Sequence, residues 1–111
     1  MTDSHYLFIE SRDPFDSADT GFVAETAAEL RRRGRPVTVF LVQNAVLATR
    51  ARARGSHVTR LTDAGVAVLA DDFSLRERGI EPGEMTAGVK PAPIDALVDL
   101  VMRPDTKAVW H

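Results

Sequence analysis

The chain contains no cysteine. That absence excludes a disulfide, a thiolate nucleophile, a persulfide carrier and a thiolate metal site. Nor is there an apolar run near the roughly 20 residues that cross a bilayer, so no membrane association is expected. Met1-Thr2-Asp3-Ser4-His5 has no basic segment followed by an apolar one, which argues against a secretory leader and for a cytoplasmic location. Glycine-rich phosphate loops are missing: Gly79 to Gly83 has neither the spacing nor the strand-then-helix context. Ser4, Ser11, Ser17, Ser56 and Ser74 include no nucleophile elbow. His5, His57 and His111 lie in separate elements, outside helical or hairpin spacing of one another, so no metal site is expected. No cofactor motif is present. The formal charge of −2 gives no reason to expect nucleic acid or another polyanion as a general partner.

What is present is ordinary for a globular protein. The 111 residues, 44% hydrophobic and 27% charged, suit one domain over 1–111 with a single core. Of the fourteen basic residues twelve are arginine, clustered at Arg31-Arg32-Arg33-Gly34-Arg35 and at Arg50, Arg52 and Arg54. Guanidinium forks suit phosphates and carboxylates, but arginines at a helix end also complement its dipole, and a solvated face is the simpler explanation.

Tyr6-Leu7-Phe8-Ile9-Glu10 predicts a first strand, followed by a polar loop at Ser11-Arg12-Asp13-Pro14. From Asp19 to Arg33 the pattern is helical. Phe22, Val23, Thr26, Ala27 and Leu30 recur at spacings of three and four, with Glu25, Glu29 and Arg32 opposite and Gly34 as the stop. Val37 to Val42 is almost continuously apolar, as in a strand covered on both faces. Asn44 is placed to cap a next helix carrying Val46 and Leu47, which frays from Arg50 to Gly55. Ser56 opens a short helical stretch through Val58, Leu61 and Ala64, closed by Gly65. Val66 to Ala70 is the third strand, and a short helix with Leu75 runs to Gly79. The loop from Ile80 to Lys90 has room for a fourth strand near Gly88-Val89. Ile94, Leu97, Val98 and Val101 mark a last helix, and Lys107 to His111 a final strand. Strand, helix and strand in this order make right-handed parallel crossovers. The expected fold is a three-layer α/β/α sandwich around a mainly parallel sheet of four to five strands.

In such a sheet ligands bind at the carboxyl ends of strands. Those ends carry Ser11-Arg12, Gln43-Asn44 and Asp71-Asp72, which makes these six residues the candidate ligand-binding set. Asp72 also suits the N-cap of a helix beginning near Phe73, and Asn44 the N-cap of its own helix. Ser74 and Glu77 have capping-box spacing, which would start that helix two residues later. Asp71 has less structural reason to be where it is.

Val37-Thr38-Val39-Phe40-Leu41-Val42-Gln43-Asn44, then Gly65-Val66-Ala67-Val68-Leu69-Ala70-Asp71-Asp72 and Arg78-Gly79-Ile80, resembles the DsrE/DsrF-like family. The likeness continues through Ile94-Asp95-Ala96-Leu97-Val98 and Lys107-Ala108-Val109-Trp110-His111, covering nearly the whole chain; the motifs are short, and their order and spacing carry it. The resemblance implies a small parallel-sheet subunit that assembles into dimers, trimers or hexamers. In family members with a known role it implies sulfur relay through a cysteine eight residues before the glycine of an Arg-Gly-Val-like turn. Counting back from Gly79 gives Asp71. A carboxylate cannot carry a persulfide, which needs a polarizable thiolate, so the best-known family activity does not transfer.

Three functions are then in play. The first is a non-catalytic or regulatory homo-oligomeric subunit that binds a partner protein, a cysteine-bearing relative or a small ligand at the strand-end cleft. The second is an enzyme using Asp71 as base or ligand anchor, with Gln43 and Asn44 orienting substrate. The third is nucleic-acid binding through Arg31 to Arg35 and Arg50 to Arg54, which the negative net charge weakens. The expectation is the first.

Overall fold

A computed structural model describes residues 4–53 and 56–111. Its five strands form one sheet: β1 His5–Glu10, β2 Val37–Leu41, β3 Ala67–Asp71, β4 Val89–Ala92 and β5 Thr106–Trp110. They lie in the order β4-β3-β2-β1-β5, and every neighbouring pair is parallel. The helices are α1 Asp19–Arg32, α2 Val58–Asp63, α3 Asp72–Glu77 and α4 Ile94–Val101.

Side chains alternate across this sheet, and the two faces build two cores. On one face Phe8, Val39, Leu41, Val68 and Ala70 pack against Val23, Ala24 and Ala27 of α1, Val58 and Leu61 of α2 and Leu75 of α3. On the other face Leu7, Ile9, Phe40 and Ala92 pack against Leu97 of α4. The result is the expected α/β/α sandwich. Its carboxyl rim collects the ends of all five strands, because each strand points the same way.

Several local expectations need correcting. The buried stripe of α1 is Thr20, Val23, Ala24, Ala27 and Ala28, and Phe22 is 75% exposed. The alanines win because a small side chain lets the helix lie close on the sheet, where Phe22 would hold it off. The helix stops as expected: Gly34 has φ +86, and Arg35 N–H donates to Leu30 O at 3.1 Å. The segment after β2 is a 3-10 helix, Gln43–Thr49, not an α-helix. Its tighter turn eclipses residues three apart, stacking buried Ala45 on Ala48 and Val46 on Thr49. Arg50 then bridges antiparallel to Met85; Arg54 and Gly55, placed by the sequence in a fraying end, lie outside the described residues. The short fourth strand is real and tolerates Pro91 because β4 is an edge. No helix among the described residues is long and apolar enough to cross a membrane.

Candidate functional site

The rim carries two polar clusters. The first lies where β2 and β3 end. Asp71 closes β3 and is itself the N-cap of α3. Its Oδ2 accepts from Ser74 N at 3.1 Å and from Ser74 Oγ at 2.6 Å. Ser74 Oγ in turn accepts from Gln43 N at 2.9 Å. Gln43 has φ +51, and among the described residues it is the only non-glycine with positive φ. A residue in that region costs free energy and persists only where its surroundings hold it. Here the holder is a chain of three residues, Asp71 to Ser74 to Gln43. Arg78 closes the cluster, donating from Nε and Nη2 to Asn44 Oδ1 at 3.2 and 2.9 Å and from Nη1 to Ser74 O at 3.2 Å.

Two capping roles read from the sequence are therefore reassigned. Asp71, not Asp72, caps α3, since the helix begins at Asp72, the residue directly after β3. Asp72 is partly exposed, with Oδ1 3.7 Å from Arg76 Nη1 one turn on, an ion pair of little energetic consequence. The Ser74 to Glu77 capping box does not form, because Ser74 is already inside the helix. Asn44 caps nothing: the 3-10 helix starts at Gln43 with no side-chain cap, and Asn44 spends its carbonyl on Arg78.

This geometry limits what Asp71 can do. It is 7% exposed, Oδ2 is engaged by two donors, and Oδ1 is buried with no hydrogen-bond partner. A base must reach the proton it takes, and neither oxygen is open. Gln43 and Asn44 are the exposed members of the cluster, so contact with a ligand falls to them.

The second cluster lies at the β1 and β5 ends, and holds Ser11 and Arg12 apart from the first. Ser11 donates from N and Oγ to His111 O at 3.0 and 2.9 Å. Arg12 is exposed, and its backbone N–H donates to Glu10 Oε2 at 3.1 Å. Glu10 and His111, which the sequence reading did not pair, meet here with His111 Nδ1 at 2.9 and 2.8 Å from the two carboxylate oxygens. Nothing local in the sequence announces this pair; only the placing of β5 beside β1 brings it together.

The remaining candidates are accounted for by structure. His5 is buried with Nε2 at 2.8 Å from Thr38 Oγ1, and its pKa is lowered by burial and by Arg103, partly opposed by Asp105. Arg31 donates to Gly65 O at 3.2 Å, while Arg32 and Arg33 pair with Glu29 at 3.1 Å. Those two guanidiniums, Arg33 first, hold the Glu29 carboxyl below its ordinary range. Among the described residues no three His, Asp or Glu side chains converge on a point that would hold a metal ion.

No family model and no curated protein matches the chain. Solved structures do. The ychN protein from E. coli superposes with a TM-score of 0.85 at 20% identity, over 97% of this chain and 99% of that one. MTH1491 from Methanobacterium thermoautotrophicum, a protein of unknown function, gives 0.84 at 18% identity, over 98% and 100%. BT1422 from Bacteroides thetaiotaomicron, a conserved protein of unknown function, gives 0.78 at 13% identity, over 97% and 95%. At such identities the likeness is one of fold, and the fold is the one that the DsrE/DsrF-like resemblance implies.

Proposed function

We propose that the chain is a cysteine-free DsrE-like subunit of a homo-oligomer that binds a small ligand or partner protein at the carboxyl rim. Gln43 and Asn44 make the contact, Asp71 and Ser74 hold Gln43 in place, and no sulfur is carried at position 71. A link to sulfur relay would run through a cysteine-bearing partner.

The observation that carries this reading is the outer surface of α4. A helix on the outside of a sandwich presents polar residues to water. Here Ile94, Val98, Val101 and Met102, which recur on one helical face, are 45–75% exposed, and Asp95 and Asp99 are the only charged residues of the helix. Trp110 of the neighbouring edge strand β5, in register with Ile9 on the face that α4 covers, adds a 65% exposed apolar side chain. A second copy of the same surface is an occupant that covers both elements at once. Phe22 on α1 is as exposed but stands among Glu25, Thr26, Glu29 and Arg33, with half-buried Leu30 as its one apolar neighbour there.

Sedimentation velocity across a hundredfold range of protein concentration tests the proposal. Wild type should sediment above the monomer mass. Val98→Asp should shift it to monomer, while Phe22→Asp and Asp71→Ala leave the mass unchanged. A wild-type monomer throughout, or an unshifted Val98→Asp, would overturn it.

A further inference from the structure

Glu10 ends β1 on the sheet face that Phe8 shares, and is 5% exposed. A carboxylate that deeply placed needs partners, and it has them: His111 Nδ1 at 2.9 and 2.8 Å, and Arg12 N at 3.1 Å. An ionised carboxylate only accepts, so Nδ1 carries the proton, and in the neutral form of the ring the lone pair lies on Nε2. Among the described residues the ring's hydrogen bonds are both at Nδ1, and the His111 side chain is 21% exposed. The backbone of His111 is fixed on both sides, donating to Ile9 O at 2.9 Å and accepting from Ser11 N and Oγ. The β1–β5 ladder already ties the two strands from His5 N–H on Asp105 O to Ser11 N–H on His111 O. Holding the sheet edge therefore does not require the side-chain pair.

An imidazole with its tautomer set by a buried carboxylate, its backbone clamped and its far nitrogen open is the arrangement of a general base. We propose that His111 is a catalytic base on the carboxyl rim, with Glu10 as its positioning residue, acting on a small carbon or oxygen acid. The bond from the substrate atom to hydrogen breaks and leaves its electron pair on the substrate. The proton moves to Nε2, and the resulting imidazolium is stabilised by the Glu10 carboxylate against Nδ1–H. This goes beyond the binding role proposed above and involves different strand ends, so either can fail alone.

The test is elimination of 5-nitrobenzisoxazole, in which a base removes the ring C–H proton, the N–O bond breaks and a coloured cyanophenolate is released. The whole protein, in its own assembly, should exceed an equal concentration of 4-methylimidazole by about tenfold or more, the low end of what a positioned base supplies. His111→Gln should abolish the excess and His57→Gln leave it intact. Glu10→Gln keeps an acceptor for Nδ1–H but removes the charge that favours imidazolium. It should lower kcat and leave KM unchanged, a split that a merely structural role for Glu10 would not produce. A wild-type rate no greater than 4-methylimidazole overturns the proposal without reference to any variant, as does an excess that survives in His111→Gln.

Discussion

Replacing Asp71 by alanine removes two hydrogen bonds, to Ser74 N and to Ser74 Oγ, the latter only 2.6 Å long. An N-cap is worth about 1 kcal/mol, and a hydrogen bond to a charged group roughly 1.5–3 kcal/mol. Against that loss stands a gain, since the variant also discards Oδ1, a buried acceptor without a partner, whose cost is roughly 1–3 kcal/mol. The net expectation is a loss of about 1 kcal/mol, or a drop in Tm of roughly 4–6 °C for a chain of this size. Ser74→Ala should cost a similar amount, because it removes the same short bond together with the partner of Gln43 N. The double variant should lose little more than either single one, as expected of residues in a single network. Asp71→Asn separates geometry from charge. Its amide oxygen still accepts from Ser74, and its NH2 replaces an orphaned anionic oxygen with a neutral group. It should lose less than half of what alanine loses. Urea unfolding of the four variants measures all of this. Alanine within about 0.5 kcal/mol of wild type, the scatter of neutral surface substitutions, would show that the carboxylate does not hold this turn. Equal losses in asparagine and alanine would show that charge, not acceptor geometry, is what matters.

Burial and Arg103 depress the His5 pKa below its ordinary value of 6.5, so the native state resists a proton that the unfolded chain accepts. Stability should be fully present above pH 6.5 and decline as the pH falls from there towards the depressed native value; urea unfolding from pH 8 to 5 should show a shallower decline in His5→Gln, and an unchanged slope would remove His5 as its source. Gln43→Gly relieves a left-handed backbone at φ +51 and should gain about 0.5 kcal/mol, after part of the relief is returned as unfolded-chain entropy; a lower Tm would mean that the position is not strained. Gly88→Ala places a Cβ 3.2 Å from Thr62 Cγ2 at φ +95, and should cost about 1–2 kcal/mol. Gly83→Ala, with open space around it, should stay near wild type in the same melts.

The parts of the fold legible in the sequence are those written in local pattern. Val37 to Val42 reads as a strand because its apolar run needs cover on both sides, and Gly34 and Gly65 read as stops because both take the left-handed backbone that ends a helix. What escaped depends on packing partners. Phe22 looked like a core residue and is solvent-facing, because the alanines of α1 fit the sheet better. The spacing of Ile94, Leu97, Val98 and Val101 marked the last helix correctly, yet of these four only Leu97 is buried, which periodicity alone cannot tell. At the rim the six candidates were placed on the right strand ends but not in one site. Asp71, Gln43 and Asn44 come together through Ser74 and Arg78, whereas Ser11 and Arg12 belong with Glu10 and His111. That second pairing spans 101 residues of sequence and follows only from β5 returning to the β1 edge.

The position where the resemblance expects a sulfur carrier is the one where β3 turns into α3. That turn needs an acceptor for the first free N–H groups of the helix, and a thiolate or a carboxylate each sets an anionic atom there. Asp71 meets the structural need through Oδ2 and Ser74, and through Ser74 it also fixes the reversed backbone of Gln43. What it gives up is the polarizable nucleophile. The fold does not depend on a cysteine at that turn: this chain, which has none, forms the whole sandwich and superposes on the ychN protein at a TM-score of 0.85. Chemistry on this rim, if it takes place, must then use a group that the turn does not consume. Among the buried, anchored side chains described there, the Glu10–His111 pair leaves a reactive atom open, and the Asp71 cluster does not.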